Sequence, residues 1–322
     1  MSIIEKALEK LRTGGKPSAD APTSVSAEKK IPIPEKKASL VESAVADQIG
    51  DFSNLSLPES DDYVQTIGID KTATAKPDVT IDVERLDALG MITPTSSKRS
   101  KIAEEYRLIK RPLLDNVANK GAAIVENVNL IAVTSSLPGE GKTFTAINLA
   151  MSIASEKDKT VLLVDADVAK PSVMRLLGIK AEKGLTDYLL GEVNSLSDVL
   201  LKTDIPNLTI LPAGKRDLHS TELLASENMR MLLQEISSRY PDRIIIFDSP
   251  PLLATSEASV LANQMGQIIV VVEAGSTSQD MFKEAIALVD PEMIIGLVLN
   301  KSGQAFGTDY YGSYSYYGHS QS

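Results

Sequence analysis

The chain has 322 residues, a formal net charge of −10 and 43% hydrophobic residues, with a sequence pI near 4.9; so acidic a chain argues against nucleic-acid binding, because neutralising phosphates takes clustered Lys and Arg. It contains no cysteine, which excludes disulfides and thiolate metal sites and fits a reducing compartment, so the cytoplasm is the expected location. The longest apolar runs, 268–272 and 294–299, fall far short of the ~18 to 20 residues that span a bilayer, and charges interrupt the apolar positions of residues 1–12, unlike a secretory signal.

In chain order, Ile3, Ile4, Ala7, Leu8 and Leu11 recur at helical spacing opposite Glu5, Lys6, Glu9, Lys10 and Arg12. This predicts a short amphipathic helix over 1–12, with a partner surface, a membrane surface or a frayed end as its alternatives. Residues 13–99 read as a mostly disordered tether, rich in Ser, Pro, Lys, Glu, Asp and Ala, which cannot bury enough surface to offset its ordering entropy. Within it, between Ile81 and Pro94, the spacing of Val83, Leu86, Leu89 and Met91 marks a short ordered piece able to dock on the main domain. A helix is expected from 100 towards 111, with Pro112 breaking or kinking it. Apolar β-rich runs at 130–134, 161–165, 208–212, 244–248, 268–272 and 294–300 then alternate with helical segments at 142–155, 220–240, 256–263 and 278–289. Unalternated strands interleaved with helices predict an α/β domain over about 100–304, a parallel sheet flanked by helices. Residues 305–322 form a tail.

After the first strand, Ser136-Leu137-Pro138-Gly139-Glu140-Gly141-Lys142-Thr143 leads directly into a helix, the context of a P-loop. Gly139, Glu140, Gly141, Lys142, Thr143 and Phe144 are the expected ATP contacts: backbone N–H groups curl around phosphate oxygens, Lys142 reaches the β and γ phosphates, and Thr143 ligates Mg2+. Ser136 stands where the strict pattern has its first glycine. The second and fourth strands end in Asp165-Ala166-Asp167 and Asp248. Strand C-terminal edges are where open parallel sheets bind ligands, so the three aspartates are expected to converge on the P-loop. Asp248 matches a Walker B carboxylate for Mg2+, while Asp165 and Asp167 offer a further metal ligand and a base. Asn300, at the end of the last strand, either meets the adenine edge or caps a loop.

Gly141-Lys142-Thr143 with the Asp165-x-Asp167 strand end and Asp248-Ser249-Pro250-Pro251 resembles the bacterial P-loop tyrosine kinases, a branch of the deviant Walker ATPases that also holds partition and septum-positioning ATPases. Tyr310, Tyr311, Tyr314, Tyr316 and Tyr317, five of the nine tyrosines, look like the kinases' autophosphorylated C-terminal cluster. Glu104, Arg107 and Lys110 resemble the helical motif through which such kinases form a homo-oligomeric ring. Ala169 stands where the pattern usually has a basic residue, with Lys170 next to it as a substitute. The residues from Met1 to Glu5, the tether, and 102–114 are similar to the tyrosine autokinases of exosortase and exopolysaccharide loci. The resemblance implies a cytoplasmic ATP- and Mg2+-dependent autokinase with a P-loop NTPase fold of the deviant Walker type. It also implies recruitment to the inner face of the cell membrane, a membrane-embedded polysaccharide chain-length regulator as activator, and a cognate tyrosine phosphatase. Lys142, Asp165 and Asp167 are then the catalytic residues, with Asp165 preferred as base. The competing readings are a partition-type ATPase, disfavoured by Leu137 at its signature-lysine position and by the tyrosine tail, and a nucleotide-gated scaffold of polysaccharide machinery.

Overall fold

The computed structural model describes residues 76–94, 100–118, 126–216, 220–239 and 242–302, all within one compact unit that starts at Thr72. The helix expected over 1–12, the tether from 13 to 75 and the tyrosines of 310–317 lie outside the described residues. Among the described residues no helix is long and apolar enough to cross a membrane.

Seven strands form one sheet: β1 (Leu130–Ser135), β2 (Thr160–Asp165), β3 (Leu201–Lys202), β4 (Leu208–Leu211), β5 (Arg243–Asp248), β6 (Gln267–Glu273) and β7 (Ile294–Asn300). Their order is β3-β4-β2-β5-β1-β6-β7, parallel throughout except for β3, which runs antiparallel to β4. Every residue of β1 and β5 is buried, the pattern of strands covered on both faces. Ile131 and Val133 enter one apolar cluster, while Leu130 and Ala132 enter the other, because successive side chains leave a strand on opposite sides. The expected fold class is the one observed.

The helices are α1 (Val83–Ala88), α2 (Lys101–Val117), α3 (Lys142–Ala154), α4 (Val173–Leu177), α5 (Leu185–Leu189), α6 (Ser220–Leu223), α7 (Glu227–Arg239), α8 (Ser256–Ala262) and α9 (Gln279–Ile286). Helix α3 is buried along its length except at Phe144 and packs on β1, β2 and β5.

Three expectations change. The helix expected to stop or kink at Pro112 does not stop there but continues to Val117. The bond that Pro112 cannot make would have gone to the carbonyl of Leu108, which is exposed, so water can satisfy it, while Tyr106, Lys110 and Leu113 hold the helix from its buried side. The single helix expected over 220–240 is two, α6 and α7. Between them the Ser226 hydroxyl donates to the Leu223 carbonyl (2.6 Å) and accepts from the Met229 amide (3.2 Å), ending one helix and capping the next. Finally, the folded domain begins before residue 100. Ile81, Leu86, Met91 and Ile92 are core residues, so the short ordered piece expected within the tether packs on the domain, and residues 76–94 belong to it.

Candidate functional site

The parallel register sets the site. Asp165 at the end of β2 and Asp248 at the end of β5 are direct partners, and Asp248 is also level with Val133 of β1, two residues before that strand gives way to the P-loop. The chain reverses its direction of build-up around β1, which lies between β5 and β6; such a switch point opens a crevice at the strand C-termini.

Lys142 and Thr143 begin α3 and point back into this crevice. The Lys142 ammonium lies 2.7 Å from Asp167 and 3.5 Å from Asp248. The Thr143 hydroxyl donates to Asp248 Oδ2 (2.7 Å) and lies 3.0 Å from the Ser172 hydroxyl. Asp165 Oδ2 accepts the backbone N–H groups of Ser172 (3.1 Å) and Val173 (3.0 Å) at the start of α4. The expected set of Lys142, Thr143, Asp165, Asp167 and Asp248 is thus brought together, and all five are buried.

Three carboxylates around one ammonium are electrostatically crowded. Burial, reinforced by the charge of Asp248, pushes the Asp165 carboxyl well above the usual carboxylate range. Burial also raises Asp248, against the pull of the Lys142 ammonium and the Thr143 hydroxyl. Burial works against the charge on Lys142, but Asp248 and Asp167 outweigh it and hold its pKa above the ordinary value. One further positive charge would relieve this crowding.

The donor set fits magnesium. Asp165 Oδ1 and Asp248 Oδ1 are buried without a hydrogen-bond partner, and the Thr143 hydroxyl already lies on Asp248. Among the described residues no three or more His, Cys, Asp or Glu side chains are grouped to hold a metal. A Mg2+ would rest on Thr143, on Asp248 directly or through water, and on nucleotide oxygens, with Asp165 as the further expected ligand, the sparse protein ligation usual for this ion.

The P-loop is held from its outer side. The Asn300 amide donates to the Glu140 carbonyl (2.9 Å), and the Lys301 ammonium to the Gly139 carbonyl (2.8 Å). Gly141 has φ +101°, and a Cβ there would lie 1.9 Å from Asn300 Nδ2, so glycine is required. The Glu140 carboxylate accepts the Leu137 amide (2.8 Å) and the Thr277 hydroxyl. Asn300, expected at the adenine edge or as a loop cap, here fixes the loop. The Phe144 ring packs against the apolar cluster on the α3 side, and its carbonyl accepts from Asn148.

Sequence reasoning missed Ser172, Thr277 and Lys301. A serine after Pro171 at a helix start was a signal for the first; the other two touch the loop only through folding and left none. Lys170, offered as a substitute for the missing basic residue, exposes its side chain and meets Asp167 through its backbone nitrogen (3.1 Å).

The expected oligomer face also changes. Glu104 and Arg107 form an ion pair on the outer side of α2. Lys110 is buried instead, donating to the Ser152 carbonyl (2.6 Å) and pairing with Glu156 (2.5 Å). Its amine holds α2 to α3 and is not on the surface that Glu104 presents.

A family model described as an AAA domain matches residues 128–290, which contain the P-loop and all three aspartates. The tyrosine-protein kinase YwqD of Bacillus subtilis is 31% identical over 223 residues, 68% of this chain and 88% of that protein. The tyrosine-protein kinase CpsD of Streptococcus agalactiae is 31% identical over 231 residues, 70% of this chain and 95% of that protein. The chain belongs to the bacterial tyrosine-protein kinases. Among solved structures, the VpsO kinase domain is 30% identical with a TM-score of 0.51, covering 62% of this chain and 95% of that one. The BceF tyrosine kinase domain is 25% identical with a TM-score of 0.55, covering 69% and 91%. Both likenesses span nearly the whole of those kinase domains, so this chain carries a complete kinase fold.

Proposed function

We propose that this kinase transfers the γ-phosphoryl group of ATP to tyrosines of its own C-terminal cluster, Tyr310, Tyr311, Tyr314, Tyr316 and Tyr317. The observation that carries the reading is the convergence of Lys142, Thr143 and three strand-end carboxylates at the P-loop. Among the described residues the two tyrosines are poor acceptors: Tyr106 is buried with its pKa pushed up to about 12 by that burial, and Tyr188 is half-buried in α5. The tail instead sets Gly and Ser between closely spaced tyrosines.

In this mechanism the backbone amides of Gly139 to Thr143 cradle the phosphates, and Lys142 leaves Asp167 to meet the γ-phosphoryl oxygens. Bound Mg2+ would add charge neutralisation across the β and γ phosphates. The tyrosine oxygen forms a bond to the γ-phosphorus as the bond from phosphorus to the β,γ-bridging oxygen breaks, and ADP leaves with that oxygen. Asp165 takes the tyrosine proton at Oδ1, since Oδ2 already accepts two amides; a carboxyl pKa raised by burial suits it to act near neutrality. Asp167 is the alternative base.

A tail reaches a neighbour more readily than its own buried site, so transfer runs between copies in a ring, with Glu104 and Arg107 as contacts. Each phosphate adds about −1.5 to −2 charges, so the modified cluster repels itself and leaves the site. In this reading a membrane-embedded polysaccharide chain-length regulator recruits and activates the kinase at the inner membrane face, a cognate tyrosine phosphatase resets it, and the cycle controls exopolysaccharide synthesis and export.

Intact-mass spectrometry before and after MgATP tests the reading, alongside Lys142→Met and a chain ending at Gly307. Successive phosphate additions mapping to Tyr310 through Tyr317, absent from both variants, are expected. ATP hydrolysis without any mass change, persisting after a membrane activator is added, would move the assignment to a partition-type ATPase.

A further inference from the structure

Residues 76–94 cross the domain as a strap whose contacts fall on residues 202–204 and on the two helices that begin at the phosphate site. At one end Val79 forms an isolated bridge with Thr203, and the Ile81 amide donates to Asp204 Oδ1 (2.9 Å). In the middle the Asp82 amide donates to the carbonyl of Leu177, the last residue of α4 (3.1 Å). Asp82 also lies against Gly178, where an added Cβ would sit 2.7 Å from Asp82 Cβ. At the other end the Ile92 amide donates to Asn148 Oδ1 (2.7 Å), and Asn148 Nδ2 donates to the Phe144 carbonyl in the first turn of α3 (2.8 Å). Ile81, Leu86, Val173 and Leu177 share one core cluster.

Helix α4 has five residues, roughly 8 Å of helix. A shift at its C-terminal end therefore reaches Ser172 and Val173, whose amides hold Asp165, almost undamped. Helix α3 is fixed independently by the sheet and by the clamp of Asn300 and Lys301 on the P-loop.

We propose that the strap is a positioning element for phosphoryl transfer: Asp82 against Gly178 and Ile92 on Asn148 hold α4 in place relative to α3, and so set the Asp165 carboxyl against Lys142 and Thr143. Asp82 and Gly178 are positioning residues that touch neither nucleotide nor acceptor. The consequence for the reaction rests on the kinase reading above, whereas the mechanical link does not.

The test uses the full chain and Gly178→Ala, whose new methyl group collides with Asp82. Amide hydrogen exchange at Ser172 and Val173 is expected to accelerate by ~10-fold or more while β1 and β5 keep their protection. Tyrosine phosphorylation is expected to slow by about 10-fold with the ATP dissociation constant held within about 3-fold, since small misplacements of reacting groups act on the chemical step. Gly178→Ala with Asp82→Gly removes the collision at little capping cost and is expected to restore most of both losses. Unchanged exchange at Ser172 and Val173 in Gly178→Ala, or a double variant as impaired as the single one, would overturn the proposal; the latter would assign the effect to backbone strain at Gly178. Should Gly178→Ala fail to fold, Asp204→Ala removes the side-chain hold on Ile81 and loosens the strap at its distant end, where Asp78 and Val79 keep their bonds to Lys202. Faster exchange at Ser172 and Val173, by ~2-fold or more, is expected there, and unchanged exchange overturns the proposal. If the parent chain forms no phosphotyrosine, the kinase reading falls while the exchange result still decides the mechanical link.

Discussion

At the end of β5, Asp248 accepts a side-chain hydroxyl from the helix that carries the P-loop, whereas its register partner on β2, Asp165, accepts two backbone amides from the short helix α4. Both carboxylates are fully buried and both titrate high, yet they are tied to different parts of the molecule. Asp248 follows α3, which the central sheet and the ends of β6 and β7 hold. Asp165 follows α4, which the strap holds. One side of the site is thus suited to grip nucleotide, and the other to be adjusted. The difference shows how two aspartates of the same register can serve binding and chemistry separately.

The comparison is broken most completely on the nucleotide side. Lys142→Met removes the cation common to all three carboxylates, and tyrosine phosphorylation is expected to fall at least ~10³-fold, measured by phosphotyrosine formation under saturating MgATP. Asp165→Asn should separate the two sides: the rate falls by about 10² to 10⁴-fold while ATP binding persists. It should also change stability with a definite sign. A carboxyl whose folded pKa is raised is at ease while protonated and costs stability once pH rises past the ordinary carboxylate range, so the nucleotide-free parent weakens as pH climbs. Asp165→Asn lacks that cost, so its thermal midpoint should exceed the parent's by roughly 5 °C, on the order of 2 kcal/mol, at about pH 8. The advantage should shrink towards acid pH.

A milder cut is Ser172→Ala, which keeps both amides on Asp165 and loses only the hydroxyl beside Thr143. We expect the rate to fall about 3 to 10-fold with unchanged folding, read by steady-state kinetics and thermal melting. The smallest effect on activity is expected from Lys110→Met, outside the site. Losing the tie from α2 to Ser152 and Glu156 should destabilise by about 1 to 2 kcal/mol without altering assembled size in sedimentation, while Arg107→Glu should alter that size.

Much of this was legible in the sequence. The strands announce themselves as unbroken aliphatic runs, because a strand covered on both faces has no polar side to show. Lys142, Thr143 and the three aspartates stand at strand ends, where parallel topology carries them to one edge. What was not legible depends on contacts between distant segments. The strap reads as no more than a short ordered piece within a tether, because its few apolar residues become core only against Leu177 and α3. Lys110 looks like a surface partner of Arg107 until the carbonyl of Ser152, 42 residues away, is brought beneath it. Pro112 signals a helix end by a local rule that is overridden here, where Leu108 lies on the exposed side of a helix held from its buried side.

The claim that one copy's site serves another copy's tail is tested by mixing two chains with MgATP: the full-length Lys142→Met protein, which has a tail and no working site, and the chain ending at Gly307, which has the reverse. The account predicts phosphate on Tyr310 through Tyr317 of the Lys142→Met chain. Phosphotyrosine that forms in the parent protein but never in this mixture would contradict it.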